Sequence, residues 1–276
     1  MILRKASLST HNARVVWSNQ NSLAKYFPYL TCRRYSTKSI QHYNDFYSRT
    51  DDSSNFNLII LNTPITDHLQ FKRVFDGANY IVCADGGANR LYQLSNKLIP
   101  NAVCGDLDSI QENIMDYYKQ NGSEIVKYHD QDSNDLEKSI NFVSSKGENK
   151  QIVIFGGGGR LDQEMCNINI LYKAMHEQPQ SKMVLVSSSS VYFVLSPNIK
   201  HIIKRNVDFE QKGCGIIPIG VPCESISTRG LKWNLDSNKL SFGGTVSSSN
   251  EFDVNNQVEV MCSQPVLWVT TLKNEI

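Results

Sequence analysis

Four short apolar runs each stop at an Asp- or Gly-rich turn, and a helical pattern follows every turn. Residues 81–84 meet Asp85-Gly86-Gly87, and residues 102–104 meet Gly105-Asp106-Leu107-Asp108-Ser109. Residues 125–127 lead to Asp130-Gln131-Asp132-Ser133-Asn134-Asp135, and residues 152–155 to Gly156-Gly157-Gly158-Gly159-Arg160-Leu161-Asp162. Parallel strands joined by crossover helices carry all such turns to the carboxyl edge of one sheet. Carboxylates gathered there can hold a hard cation, and glycine turns at helix N-termini can receive phosphate. The repetition is the signal, since a single acidic or glycine turn has many uses.

The intervening pattern predicts an α/β fold. Residues 58–61 read as a first strand, and a helical stretch runs through Phe75. Leu91 and Leu94 share a helix face. Ser109 and Glu112 have capping-box spacing, with Ile110, Ile114, Tyr117 and Tyr118 at helical spacing behind them. Leu136, Ile140 and Val143 mark the next apolar stripe, and Met165, Ile168, Leu171, Tyr172 and Met175 the one after, before strands at 183–186 and 191–195. Residues 56–196 are therefore expected to form a doubly wound, mostly parallel sheet covered on both faces. After Pro197 the period becomes two. Leu231, Trp233 and Leu235 alternate with polar residues and turn at Asp236-Ser237-Asn238 into 239–242, predicting a hairpin with Trp233 on one face. With further strands at 257–260 and 266–272, residues 197–276 are expected to form a smaller all-β sandwich or partial barrel.

Residues 1–55 stand apart as a basic, Ser-rich extension in which the first acidic residue is Asp45. That composition suits a mitochondrial presequence, and Arg33-Arg34-Tyr35-Ser36 resembles a matrix-protease cleavage pattern; a non-targeting extension fits it equally. The folded body is expected to begin near Asn57, in either the cytoplasm or the mitochondrial matrix. A formal net charge of +1 over 276 residues gives no reason to expect a nucleic-acid groove or an anionic membrane as partner. No apolar run reaches the roughly 18 residues of a spanning helix. The seven cysteines contain no C-x-x-C pair, so neither a zinc site nor a disulfide framework is expected.

In an extended turn, alternate residues face the same way, so Asp106 and Asp108 can share one Mg2+; equally, Asp108 or Ser109 can cap the following helix with Asp106 in solvent. Asp130, Asp132 and Asp135 carry the same two readings. Several carboxylates at one edge repel one another without a cation, which favours metal binding. The glycine turn is neither a Walker A loop nor a dinucleotide fingerprint, though Arg160 can fork onto phosphate oxygens. Trp233 can be a core residue or a platform for a planar ring.

Taken together, Asp85-Gly86-Gly87-Ala88-Asn89-Arg90, Gly105-Asp106-Leu107-Asp108-Ser109, Asp130-Gln131-Asp132 with Asp135, and Gly159-Arg160-Leu161-Asp162-Gln163 resemble the ordered motifs of the thiamine pyrophosphokinase family. Thr228-Arg229-Gly230-Leu231-Lys232-Trp233 and Ser248-Ser249-Asn250 resemble its carboxy-terminal motifs, so the likeness covers about residues 57–273. The resemblance implies an α/β catalytic domain followed by a β-sandwich, a homodimer whose site forms where two subunits meet, and transfer of a diphosphoryl group from ATP to thiamine, giving thiamine diphosphate and AMP. It implies Mg2+ on Asp106, Asp108 and Asp135, with Asp162 assisting. Asp85, Gly86, Asn89, Arg90, Gly159 and Arg160 are implied at the nucleotide, Gln131 and Ser249 at thiamine, and Trp233 stacked on the pyrimidine ring. Because a primary alcohol is a poor nucleophile, a carboxylate such as Asp135 or Asp106 is expected to take its proton late in the transfer. Asn134 stands where the family more often has Thr, and the glycine turn is one residue shorter than in animal members. A different Mg2+-dependent phosphotransferase or nucleotidyltransferase, or a non-catalytic thiamine or nucleotide sensor, remains as an alternative.

Overall fold

The computed structural model describes residues 39–47, 55–130, 132–147, 151–179 and 181–273. The targeting reading of the first 35 residues lies outside them, as does Gln131. From Phe56 the chain alternates strand and helix: β2 (Phe56–Ile60), α1 (His68–Gly77), β3 (Tyr80–Ala84), α2 (Gly87–Leu94), β4 (Ala102–Gly105), α3 (Glu112–Gln120), β5 (Glu124–Lys127), α4 (Asp135–Ser145), β6 (Gln151–Gly157), α5 (Leu161–Glu177) and β7 (Met183–Ser187). These strands lie in the order β7-β6-β2-β3-β4-β5, all parallel. The four turns singled out by sequence follow β3, β4, β5 and β6, and so leave the sheet at the same edge.

Helices cover both faces of this sheet, which is why its strands read as unbroken apolar runs rather than alternating ones. Leu58, Ile59 and Ile60 are all fully buried, but Leu58 and Ile60 pack with Phe71, Val74, Leu91 and Ile114 of α1–α3, whereas Ile59 packs with Leu136, Ile140, Ile168 and Leu171 of α4 and α5. At roughly 1.5–3 kcal/mol per fully buried large apolar side chain, the two cores are the main force holding the strand ends in register. Local chemistry sets the helix starts: Asp67 caps α1 by accepting from the Gln70 N–H at 2.8 Å, and Asn134 caps α4 by accepting from the Glu137 N–H at 2.9 Å.

The remaining strands are β8 (Ser190–Leu195), β9 (Lys200–Lys204), β10 (Glu210–Ile217), β11 (Cys223–Arg229), β12 (Asn238–Leu240), β13 (Ser247–Glu251), β14 (Gln257–Cys262) and β15 (Val266–Leu272). They divide between two sheets. β8, β15, β10 and β13 extend the large sheet in antiparallel fashion to ten strands, while β9, β14, β11 and β12 form a second sheet. Residues 200–272 therefore supply β-sandwich strands, but the expected boundary at 196/197 is not a break between sheets. The expected hairpin is also different: β12 pairs with β11, and residues 231–235 form a loop bridged only at Leu231 to Phe252.

A further correction concerns where the body begins. Residues 39–47, assigned by composition to the extension, are part of the fold. β1 (Ser39–Tyr43) pairs in parallel with β9 at the edge of the second sheet, and Phe46 and Tyr47 are buried. Its alternating, half-exposed SIQHY pattern offers no apolar run to detect. Side chains fasten it instead. His42 stacks on Phe193 with centroids 4.7 Å apart and lies 2.9 Å from His201. The Asn44 amide donates to the Glu210 carboxylate, and the Asn206 amide donates to the Asn44 carbonyl at 2.9 Å.

Burial pushes the Glu210 carboxyl up to about 7 from 4.5, partly offset by the Asn44 and Asn206 donors. A carboxyl raised in the folded state contributes stability that is full below pH 4.5 and is lost as pH rises to about 7. His42, lowered to about 3 by burial, acts in the opposite sense, losing stability as pH falls below 6.5. Comparing wild type with Glu210→Gln isolates the first effect. The wild-type free energy of unfolding, relative to the variant, should fall by on the order of 3 kcal/mol between pH 4.5 and 7. Urea melts at several pH values measure it, and a pH-independent difference would contradict the assignment.

Candidate active site

Asp85, at the end of β3, ties two of the turns together. Its backbone has φ 41°, a left-handed conformation that Asp tolerates better than most residues. The side chain is buried and accepts from the Ser109 and Ile110 N–H groups, both at 3.0 Å. Asn89 completes the clasp by donating to the Ser109 carbonyl at 2.9 Å and accepting from the Gln111 N–H at 3.0 Å. These bonds explain why the expected capping box does not form. The backbone donors of 109–111 are claimed by the neighbouring turn, so α3 starts only at Glu112, with Gln111 as its cap and no side-chain capping bond.

The β4 turn does not remain extended. Leu107 has φ 63°, so the alternate-residue rule that placed Asp106 and Asp108 together fails there. Asp106 turns inward. Asp108 is exposed and accepts from its neighbour Ser109. The carboxylates brought together are instead those of Asp85, Asp106 and Asp135, whose oxygens lie within 4.8 Å of one another. Close approach depends on Gly105: a Cβ there would sit 2.9 Å from both Asp135 Oδ1 and Asp85 Cβ. Burial raises the proton affinity of Asp85, opposed by its two backbone donors. Burial and then the Asp106 charge raise that of Asp135. Three hard oxygen donors that resist sharing a small volume uncompensated suit Mg2+.

The glycine turn is tied to the helix that follows it and to β8. The Gly158 N–H donates to Glu164 Oε2 at 2.6 Å, and the Tyr192 hydroxyl donates to the same carboxylate. Arg160 and Asp162 project into solvent as an ion pair, 69% and 66% exposed, so Asp162 does not join the acidic trio. Gly159, with φ 88°, is exposed beside them. Arg90 donates to Asn62 Oδ1 at 2.9 Å, and Gly86 packs tightly against that same Asn62 side chain.

On the β side, Trp233 is 53% exposed, which settles it as a surface ring rather than a core one. Buried Asn250 brackets its backbone, accepting from the Trp233 N–H at 3.2 Å and donating to its carbonyl at 2.8 Å. The Lys232 ammonium lies 4.4 Å from the ring centroid. Ser249 is exposed on β13 beside Asn250.

The family model for the thiamin pyrophosphokinase catalytic domain matches residues 71–185, and that for the thiamin pyrophosphokinase vitamin B1 binding domain matches residues 200–267. Thiamine pyrophosphokinase 1 of Oryza sativa subsp. japonica is 34% identical over 244 residues, spanning 81% of this chain and 90% of that protein. The chain belongs to the thiamin pyrophosphokinase family. Thiamine pyrophosphokinase of Saccharomyces cerevisiae is 29% identical over 258 residues, covering 73% of this chain and 81% of its own length. Among solved structures, yeast thiamin pyrophosphokinase superposes with a TM-score of 0.75 at 26% identity, covering 87% of this chain and 92% of its own. Thiamin pyrophosphokinase from Candida albicans shares the fold with a TM-score of 0.76 at 24% identity, covering 88% and 95%.

The acidic trio lies in the span matched by the catalytic family model, and Trp233 and Ser249 in that matched by the vitamin B1 binding model. Asn134 caps α4 through the Glu137 N–H. Two residues at these sites escaped sequence reasoning, Lys138 and Glu164, while Asn250 entered it only within the Ser248-Ser249-Asn250 motif, without a role of its own. Lys138 follows Asp135 by three residues, the spacing of one helix face, which is a usable signal. Glu164 is set by the Gly158 N–H and the distant Tyr192 hydroxyl, and Asn250 by the Trp233 backbone, contacts that no local pattern announces.

Proposed function

We propose that this chain catalyses transfer of the β,γ-diphosphoryl group of ATP to the primary hydroxyl of thiamine, with Asp85, Asp106 and Asp135 holding Mg2+. The observation that carries this reading is the convergence of these carboxylates where three turns meet, in a chain of this family. When bound, Mg2+ supplies charge neutralisation on the phosphate oxygens. The chain's own contribution is positioning. Asp85 and Asn89 fix the β4 turn, Gly105 lets Asp135 approach, and Arg90 and Arg160 stand at the same edge with guanidinium forks suited to phosphate. The thiamine oxygen attacks the β-phosphorus, the bond from that phosphorus to the α–β bridging oxygen breaks, and AMP departs. Asp135 or Asp106 accepts the hydroxyl proton, and the exposed face of Trp233 stacks on the pyrimidine ring.

The large sheet itself supports a site shared between two subunits. Seven strand spacings separate β13, which bears Ser249 and the Asn250 anchor of Trp233, from β3, which leads to Asp85. At 4.7–4.9 Å each, that separation is about 34 Å, too far for one thiamine to touch both ends in a single chain. A homodimer that sets the β13 end of one copy against the acidic edge of the other resolves it.

The test is product analysis with ATP, Mg2+ and thiamine. AMP and thiamine diphosphate in equal amounts are expected. ADP would indicate a simple kinase, pyrophosphate a nucleotidyltransferase, and no turnover a sensor.

A further inference from the structure

One charged group at the acidic edge has no role in the scheme above. Lys138 sits on α4 one turn beyond Asp135 and is 3% exposed, with Nζ 3.6 Å from Asp135 Oδ1 and 3.7 Å from Asp106 Oδ2. Burying an ammonium is costly unless opposite charges face it, and here the partly exposed carboxylates of Asp106 and Asp135 do so. A packing role alone would favour an apolar residue here. The two carboxylates it touches come from different elements, one from the turn after β4 and one from the start of α4. Three carboxylates contribute −3 and the ammonium +1, which leaves −2 in the cluster, the charge one divalent cation balances.

We propose that Lys138 is a positioning residue. It is a fixed internal cation that holds Asp106 and Asp135 together before Mg2+ arrives and leaves the trio a charge matched to one such ion. This rests on the Mg2+-dependent reading above. Without the ammonium, Asp106 and Asp135 repel each other across the turn, and added Mg2+ takes over part of its work. A methionine of similar length keeps the packing and removes only the charge.

The experiment compares melting temperatures of wild type, Lys138→Met and the double variant Asp106→Asn/Lys138→Met, each in EDTA and in saturating Mg2+ without ATP or thiamine. Turnover of wild type and Lys138→Met is measured alongside. Lys138→Met should melt several degrees lower in EDTA and recover most of that loss with Mg2+. The double variant, with one carboxylate fewer, should regain stability in EDTA relative to Lys138→Met. The kcat of Lys138→Met should fall by about 10- to 100-fold, as when the support of a metal ligand is removed, with the KM for thiamine unchanged. If Lys138→Met is too unstable to study in EDTA, a folded double variant supports the same conclusion. A stability loss equal with and without Mg2+, not relieved by Asp106→Asn, would overturn the role of Lys138. Wild type that forms no AMP would overturn the functional reading alone, because the Mg2+-linked melting shift supports Lys138 independently of turnover.

Discussion

Replacing Asp135 with asparagine is expected to lower kcat by about 10²- to 10³-fold, the scale of losing one preorganised charge contact in a transition state. Asp135 stands where the site's constraints meet. It begins α4, accepts from the Asp106 N–H at 3.4 Å, faces the Lys138 ammonium, and fills the space that Gly105 leaves open. Asparagine keeps the shape and removes the charge. The fold should persist, because relief of the Asp106 repulsion offsets the lost contact to Lys138. Steady-state kinetics and a melting curve check both halves of the expectation. Near-normal turnover would exclude Asp135 as cation ligand and as proton acceptor.

The second large effect is expected at Trp233. Loss of aromatic stacking on a planar heterocycle costs about 1–3 kcal/mol, so Trp233→Ala should raise the KM for thiamine about 5- to 150-fold. The KM for ATP should hardly change, because the exposed ring is proposed to stack on the pyrimidine of thiamine and not on the nucleotide. The separation of the ring from the acidic trio along the sheet makes the two substitutions complementary. A mixed dimer of Asp135→Asn and Trp233→Ala subunits carries one site with both changes and one with neither. With random pairing, about a quarter of wild-type activity should return on co-expression. No recovery would mean that both residues of each site come from one chain.

The framework of the fold was legible because a doubly covered parallel sheet writes itself as apolar runs separated by turn residues. Every strand from β2 to β8 was visible in that way. β1 was not, since its half-exposed alternating residues are held by Asn44, His42 and their distant partners rather than by an apolar run. The acidic edge was legible as a region but not atom by atom. One left-handed residue, Leu107, sends Asp108 outward, and Asp85 takes its place beside Asp106 and Asp135. Nothing in the composition of Gly105-Asp106-Leu107-Asp108 announces that φ. Trp233 shows the same limit from the other side: the period-two pattern implied a strand, whereas Asn250 holds the ring on a loop.

The central claim is that a diphosphoryl unit moves intact from ATP to thiamine. ATP labelled separately at the β- and γ-phosphates, incubated with the protein, Mg2+ and thiamine, tests it most directly. Both labels should appear in thiamine diphosphate, with unlabelled AMP formed in equal amount. Label from the γ-phosphate alone on thiamine, with the β-label retained in ADP, would contradict it.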